Sequence, residues 1–280
     1  MRRITFLGFF LTAAAWCADA QYDGSAVHYE SYGKGKDALV FIHGWTCDLT
    51  FWRTQKPVYE AHRSLLIDLP GHGQSAKPDV NYTQERFARA VEAVMRKEGV
   101  ERATLIGHSM GATVIWTFYR LFPEKTTGLV LVDGFLPSTP KDDKERAAQQ
   151  ARMEGFFKTL RSPDYKKQTS RMVEGMFSAK TSPALRDEIR SKMGATPQHV
   201  LASAMEGMFS AEGPKPGEVY KVPMLVVAAA NPQRNSQESA MRQNFPNLKY
   251  ETWEGAGHFL MMESPDRFNK TLEDFLKGLH

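Results

Sequence analysis

Cysteine is nearly absent from this chain: Cys17 and Cys47 are the only two among 280 residues. A small scaffold stapled by disulfides is therefore excluded, and the fold must rest on its hydrophobic core, which this length permits. Blocks of five or six like charges are also missing. The formal net charge is only +4 and is mixed along the chain, so composition argues against a nucleic-acid partner. No H-E-x-x-H pattern or cysteine cluster occurs among the eight histidines and scattered acids, and no metal is expected. No G-x-G-x-x-G follows a strand-like run, so no dinucleotide is expected either. Beyond the N-terminus no apolar run reaches the roughly 18 residues of a membrane span.

What is present is an ordinary globular balance, 42% apolar and 24% charged. The first twenty residues read differently. Arg2 and Arg3 open the chain, an apolar run follows from Ile4 to Trp16, and Ala18-Asp19-Ala20 supplies a small-x-small site. These are the parts of a bacterial signal peptide cleaved after Ala20, with a buried first strand or a membrane anchor as the alternatives. The expected product is an exported protein, periplasmic or secreted, starting at Gln21. Trp16 before Cys17 is too bulky for the usual lipoprotein site.

From residue 21 onward, strand-like and helix-like segments alternate. Ala26–Tyr32 alternates apolar and polar, as an antiparallel edge strand does. Continuous apolar runs at Ala38–Ile42, Ser64–Leu69, Ala103–Ile106 and Gly128–Val132 are separated by helical patterns at Glu85–Lys97 and Ala112–Leu121. Such alternation indicates a parallel sheet covered on both faces. Residues 135–217 then hold no convincing strand and carry helical spacing broken at Pro163, Pro183 and Pro197. Strands resume at 222–227 and 248–253, and Ser264-Pro265 opens a last helix with a serine N-cap. The division expected is a leader at 1–20, a core at 21–134 and 218–280, and a helical insertion at 135–217. Within the insertion, 172–179 and 204–211 echo each other, as two similar amphipathic helices or by coincidence.

Gly107-His108-Ser109-Met110-Gly111 fits G-x-S-x-G between a strand and a helix. A serine on so tight a turn projects its hydroxyl from the sheet edge, and the helix N-terminus behind it favours developing negative charge. A serine hydroxyl needs a base, and Gly255-Ala256-Gly257-His258 presents one after the last strand. Ser109 is thus the candidate nucleophile and His258 the candidate general base. His43-Gly44-Trp45 follows a strand, and the backbone N–H groups of Trp45 and Met110 are the candidate oxyanion donors. The His43 side chain reads as a brace for its loop. Cys47 reads as a buried small hydrophobe with a reactive thiol as the alternative, and Asp48 as a helix cap. The Met and Phe residues of the insertion (Met153, Phe156, Phe157, Met172, Met176, Phe177, Met208, Phe209) line an acyl pocket or only pack the insertion down.

His43-Gly44-Trp45, the segment Asp68–Ser75, the elbow at 107–111 and Gly257-His258 together make the chain resemble the α/β-hydrolase superfamily over nearly all of residues 25–280. The resemblance implies an α/β-hydrolase fold: a mostly parallel eight-stranded sheet with helices on both faces and a helical cap inserted after the sixth strand. It gives His72, in the turn after the fourth strand, no catalytic role. The acid that orients the histidine usually follows the seventh strand, where this chain has Asn231. Asp133, at the end of the sixth strand, is the favoured acid, with Asn231 as a weak orienter or Glu238 as the alternatives. The implied activity is cleavage of a carboxylic ester or thioester through an acyl-enzyme, with a small acyl-bearing molecule as substrate and no cofactor. Relatives with the same constellation cleave amides, lactones or carbon–carbon bonds. A serine at the elbow sets the chain apart from the dehalogenases and epoxide hydrolases of this fold, which use aspartate there. Two other readings stand beside it: a hydrolase-fold binding protein without activity, and an N-terminal peptidase holding the substrate amine on Glu154, Glu174 or Glu206.

Overall fold

The computed structural model describes residues 16–137 and 142–279. Eight strands form one sheet: β1 (Trp16–Tyr22), β2 (Ser25–Tyr32), β3 (Asp37–Ile42), β4 (Ser64–Ile67), β5 (Arg102–His108), β6 (Thr126–Val132), β7 (Met224–Ala229) and β8 (Leu248–Trp253). Their order is β1-β2-β4-β3-β5-β6-β7-β8. Pairing is antiparallel at β1–β2 and β2–β4 and parallel from β4 onward. Successive strand residues face opposite sides of a sheet, so the unbroken burial of the last five residues of β3, β5 and β6 means that both faces are covered.

The helices are α1 (Lys56–Tyr59), α2 (Gln84–Lys97), α3 (Met110–Leu121), α4 (Asp143–Leu160), α5 (Tyr165–Glu174), α6 (Pro183–Gly194), α7 (Gln198–Phe209), α8 (Pro232–Asn244), α9 (Leu260–Glu263) and α10 (Pro265–Leu276). None among the described residues is long and apolar enough to cross a membrane. The α/β-hydrolase fold expected from the motifs is the fold observed, and α4–α7 make the helical cap between β6 and β7.

One expectation needs correction. Ala26–Tyr32 is not the edge of the sheet, because β1 pairs with β2 along seven residues, from Trp16 opposite Ser31 to Tyr22 opposite Ser25. β1 begins inside the segment read as a leader and buries Ala20 completely, so the expected boundary at residue 20 runs through a strand. Residues 1–15 of that leader lie outside the described residues. Ser264 does occupy the N-cap of α10, but its hydroxyl makes no capping bond. It also closes α9, with its N–H bound to the Leu260 carbonyl at 2.9 Å, and its backbone angles serve that helix end.

The cap is fastened to the core by polar contacts. Trp45 Nε1 donates to the Leu201 carbonyl at 2.8 Å, the Tyr82 N–H donates to Ser203 Oγ at 2.8 Å, and Lys192 Nζ meets Asp48 Oδ2 at 3.0 Å. Phe157, Phe209 and Phe135 form a chain of rings at 6.1 Å spacings. The sequence echo proves unequal here. A Cβ at Gly207 in α7 would stand 2.3 Å from the Tyr82 carbonyl oxygen, whereas one at Gly175 would meet nothing closer than 3.5 Å. Gly207→Ala is therefore expected to destabilise the protein by about 1–3 kcal/mol, since rigid backbone must move. Gly175→Ala should stay within about 0.5 kcal/mol of the parent. Urea midpoints of the two variants check this, and equal midpoints would refute the tight seat of α7.

Candidate active site

The strand-to-helix turn from β5 into α3 carries Ser109. Its backbone sits at φ +53°, ψ −115°, a region that a non-glycine residue rarely occupies. The turn is held from below by the Ser109 N–H, which donates to the Val132 carbonyl at 2.9 Å. Glycines flank it because the chain segments nearly touch. A Cβ at Gly107 would lie 2.3 Å from the Gly111 carbonyl oxygen, and one at Gly111 would lie 2.5 Å from that of Ile42.

His258 follows β8 in the turn that begins at Glu254. Its Nδ1 lies 2.5 Å from Asp133 Oδ2, and the two side chains are 18% and 6% exposed. Asp133 ends β6 at φ +43°, and its second oxygen accepts the Ala229 N–H at 2.8 Å. Nδ1 therefore carries the proton in this pair, which leaves Nε2 as the open nitrogen. No hydrogen bond joins Ser109 Oγ to His258 Nε2 among the described residues. Such bonds commonly close only when substrate binds. His108, which the sequence reading passes over, donates from Nε2 to the His258 carbonyl at 2.9 Å and sets its ring 4.7 Å from that of His258. Its place beside the candidate nucleophile was the available signal.

Gly44 crosses above this pair: a Cβ there would be 2.8 Å from His108 Nδ1 and 3.2 Å from Ser109 Cβ. The next N–H, of Trp45, has no protein partner among the described residues, and neither has that of Met110 in the first turn of α3. His43 is spent on structure. Its Nε2 accepts the Leu69 N–H at 3.0 Å, so Nδ1 carries the proton and donates to the Gly44 carbonyl at 2.8 Å.

Glu238 is bound by Arg242 at 2.7 Å and 2.9 Å, and Asn231 is exposed. Cys47 is buried, and burial pushes its thiol well above the ordinary range, so it is not a thiolate at neutral pH. Asp48 caps the helical turn at Leu49–Gln55 by accepting the Thr50 N–H at 2.9 Å. In the cap, Glu174 is held by Arg190 and Glu206 by Arg161, while Glu154 is exposed. No group of three or more His, Cys, Asp or Glu able to hold a metal occurs among the described residues.

The sequence matches the model of the alpha/beta hydrolase family over residues 39–271. It is 28% identical to the dihydrolipoyllysine-residue acetyltransferase component of the acetoin cleaving system of Cupriavidus necator, over 95% of this chain and 70% of that protein. It is 27% identical to a 2-hydroxy-6-oxononadienedioate/2-hydroxy-6-oxononatrienedioate hydrolase of Paraburkholderia phymatum, over 89% of this chain and 90% of that one. The structure superposes on the enol-lactonase of Burkholderia xenovorans with a TM-score of 0.78 at 24% identity, over 93% of this chain and all of that one, a likeness of fold.

Two buried imidazoles next to this site have a measurable consequence. Burial, with His258 as the second cause, pushes His108 down to about 3. Burial, with His43 second, pushes His72 to about 3 as well. Both rings stay neutral in the fold, while the unfolded chain protonates them below about 6.5. The unfolded state then binds more protons, so stability falls as pH drops from about 6.5 toward 3. The slope is up to about 1.4 kcal/mol per pH unit for each ring. Urea midpoints at pH 7, 6 and 5 check this above the range where carboxylates titrate, and a flat midpoint would refute it.

Proposed function

The chain belongs to the alpha/beta hydrolase family, and from that premise we propose that it is a serine hydrolase cleaving a carboxylic ester or thioester through an acyl-enzyme. One observation carries the reading: His258 Nδ1 is engaged by the Asp133 carboxylate at 2.5 Å beside a serine on a strained elbow. An imidazole so held keeps one tautomer, and its protonated form is stabilised by the neighbouring charge.

In this mechanism Ser109 Oγ attacks the substrate carbonyl carbon while His258 Nε2 takes the hydroxyl proton. The oxyanion that forms is held by the N–H groups of Trp45 and Met110, which have no other duty. The tetrahedral intermediate collapses, the bond to the leaving group breaks, and His258 returns the proton to it. Water then repeats the sequence, with His258 as base, and frees the acid and Ser109. Asp133 stays ionised throughout. Apolar cap residues such as Phe177, Met176 and Phe209 suit an acyl chain, although each also packs against the core.

A second reading, hydrolysis of a carbon–carbon bond next to a ketone, is favoured by the 2-hydroxy-6-oxononadienedioate hydrolase relative, which aligns with 89% of this chain. The peptidase reading is weakened by the pairing of Glu174 and Glu206 with arginines. Export is proposed from the leader pattern alone. Processing after Ala20 would leave an N-terminus at Gln21 with only two residues of β1, and the intact mass of the exported chain tests it.

Purified protein is expected to hydrolyse p-nitrophenyl esters. Ser109→Ala should lose ~10³-fold or more in kcat, and Asp133→Asn on the order of 10²–10⁴-fold. Asn231→Ala and Glu238→Gln should keep the parent rate. Turnover of a 1,5-diketone dienoate without ester turnover would favour carbon–carbon cleavage. Failure of a fluorophosphonate to label Ser109 would instead leave a binding protein.

A further inference from the structure

The loop that carries His258 is held by the cap as well as by the core. The His258 N–H donates to the carbonyl of Met176 at 2.9 Å, in the turn between α5 and α6. The Gly257 N–H donates to Glu263 Oε2 at 2.7 Å, and the other oxygen of Glu263 accepts the hydroxyl of Thr181 from the same cap turn. Thr181 Oγ1 in turn accepts the Ser178 N–H at 2.9 Å, and the residue is 2% exposed. Gly257 fills the junction: a Cβ would lie 2.6 Å from Glu263 Oε1, 2.9 Å from the Ser178 nitrogen and 3.0 Å from the Met176 oxygen.

The turn is itself braced. Arg186 donates to the carbonyls of Ser178 and Thr181 at 2.7 Å and 3.0 Å, and its guanidinium lies 5.3 Å from the Phe177 ring centre. Phe177 faces Phe259, the residue after the histidine, with ring centres 6.3 Å apart. Residues 257 and 258 thus give both their N–H groups to a network anchored in the cap, while the His258 carbonyl is held by His108. A buried polar network of this kind defines one arrangement only while every member is satisfied.

Resting on the reading of His258 as the base, we propose that Thr181 and Glu263 are positioning residues for His258, so that the imidazole stands in working position only while the cap turn 176–181 is seated. Neither side chain touches the imidazole. Each acts through the backbone of the loop, and a displacement of about 1 Å at a reacting group can cost on the order of 10²-fold in rate. A cap movement that frees the turn would take the Met176 carbonyl and the Thr181 hydroxyl with it, and so release the base. Cap seating and base placement become one event.

The test uses the full chain and two readouts: steady-state p-nitrophenyl ester kinetics, and the rate at which a fluorophosphonate labels Ser109, which needs an activated serine but little cap binding. Thr181→Val keeps the buried shape and removes only the hydroxyl. It should lower kcat and the labelling rate together by about tenfold or more, with KM nearly unchanged. Glu263→Gln, which replaces one acceptor oxygen by a donor, should do the same, and Thr181→Ser should restore both rates. Thermal midpoints within a few degrees of the parent would separate this from loss of fold. A Thr181→Val variant with the parent's labelling rate and kcat overturns the positioning role alone. So does a change confined to KM, or a Thr181→Ser variant as slow as Thr181→Val. A parent protein inert to the probe overturns the serine-hydrolase reading, and this inference with it.

Discussion

One carboxylate ties together the strand ends on which the site depends. Asp133 closes β6 in a left-handed backbone conformation, with its N–H on the Val227 carbonyl and one side-chain oxygen on the Ala229 N–H. Its other oxygen meets His258. Removing the side chain would strand a backbone donor and an imidazole at once, each costing about 1–3 kcal/mol when buried without a partner. The elbow leans on the same strand end, since the Ser109 N–H takes the Val132 carbonyl. β5, β6, β7 and the loop after β8 are thus referenced to one point.

The parts of this arrangement that could be read from sequence are those made within a few residues. G-x-S-x-G is local because its glycines answer contacts inside the turn or with the adjacent strand. The continuous apolar strands were visible for the same reason, since burial on both faces leaves no alternation. β1 was legible only as an alternative, because small and apolar residues in Trp16–Tyr22 also satisfy a leader pattern. Asp133 could only be favoured over its alternatives: 125 residues separate it from His258. Thr181 and Glu263 carried no signal at all. A threonine before a serine N-cap and a glutamate at the end of a short helix are unremarkable until the cap turn is folded against the histidine loop.

The cap meets the core through two different kinds of physical contact. Phe135, Phe157 and Phe209 make a partly buried apolar seam. The polar contacts of Trp45, Lys192 and the 176–181 turn are directional and hold only in one position. An apolar seam tolerates small sliding, and a set of hydrogen bonds does not, so the polar set is the more position-specific of the two.

Asn231 in place of an acid after β7 fits the geometry around Asp133. A histidine presents one Nδ1–H, and a single carboxylate satisfies it. Asp133 reaches that nitrogen from the end of β6, the strand next to the elbow strand. With Asp133 in place the Ala229 N–H, at the end of β7, already points into its carboxylate. A second carboxylate brought to that end would meet the first at close range, and like charges so placed oppose ionisation of both. A neutral, exposed Asn231 avoids that repulsion. On the proposed reading of Asp133 as the orienting acid, a neutral asparagine at 231 is compatible with the site.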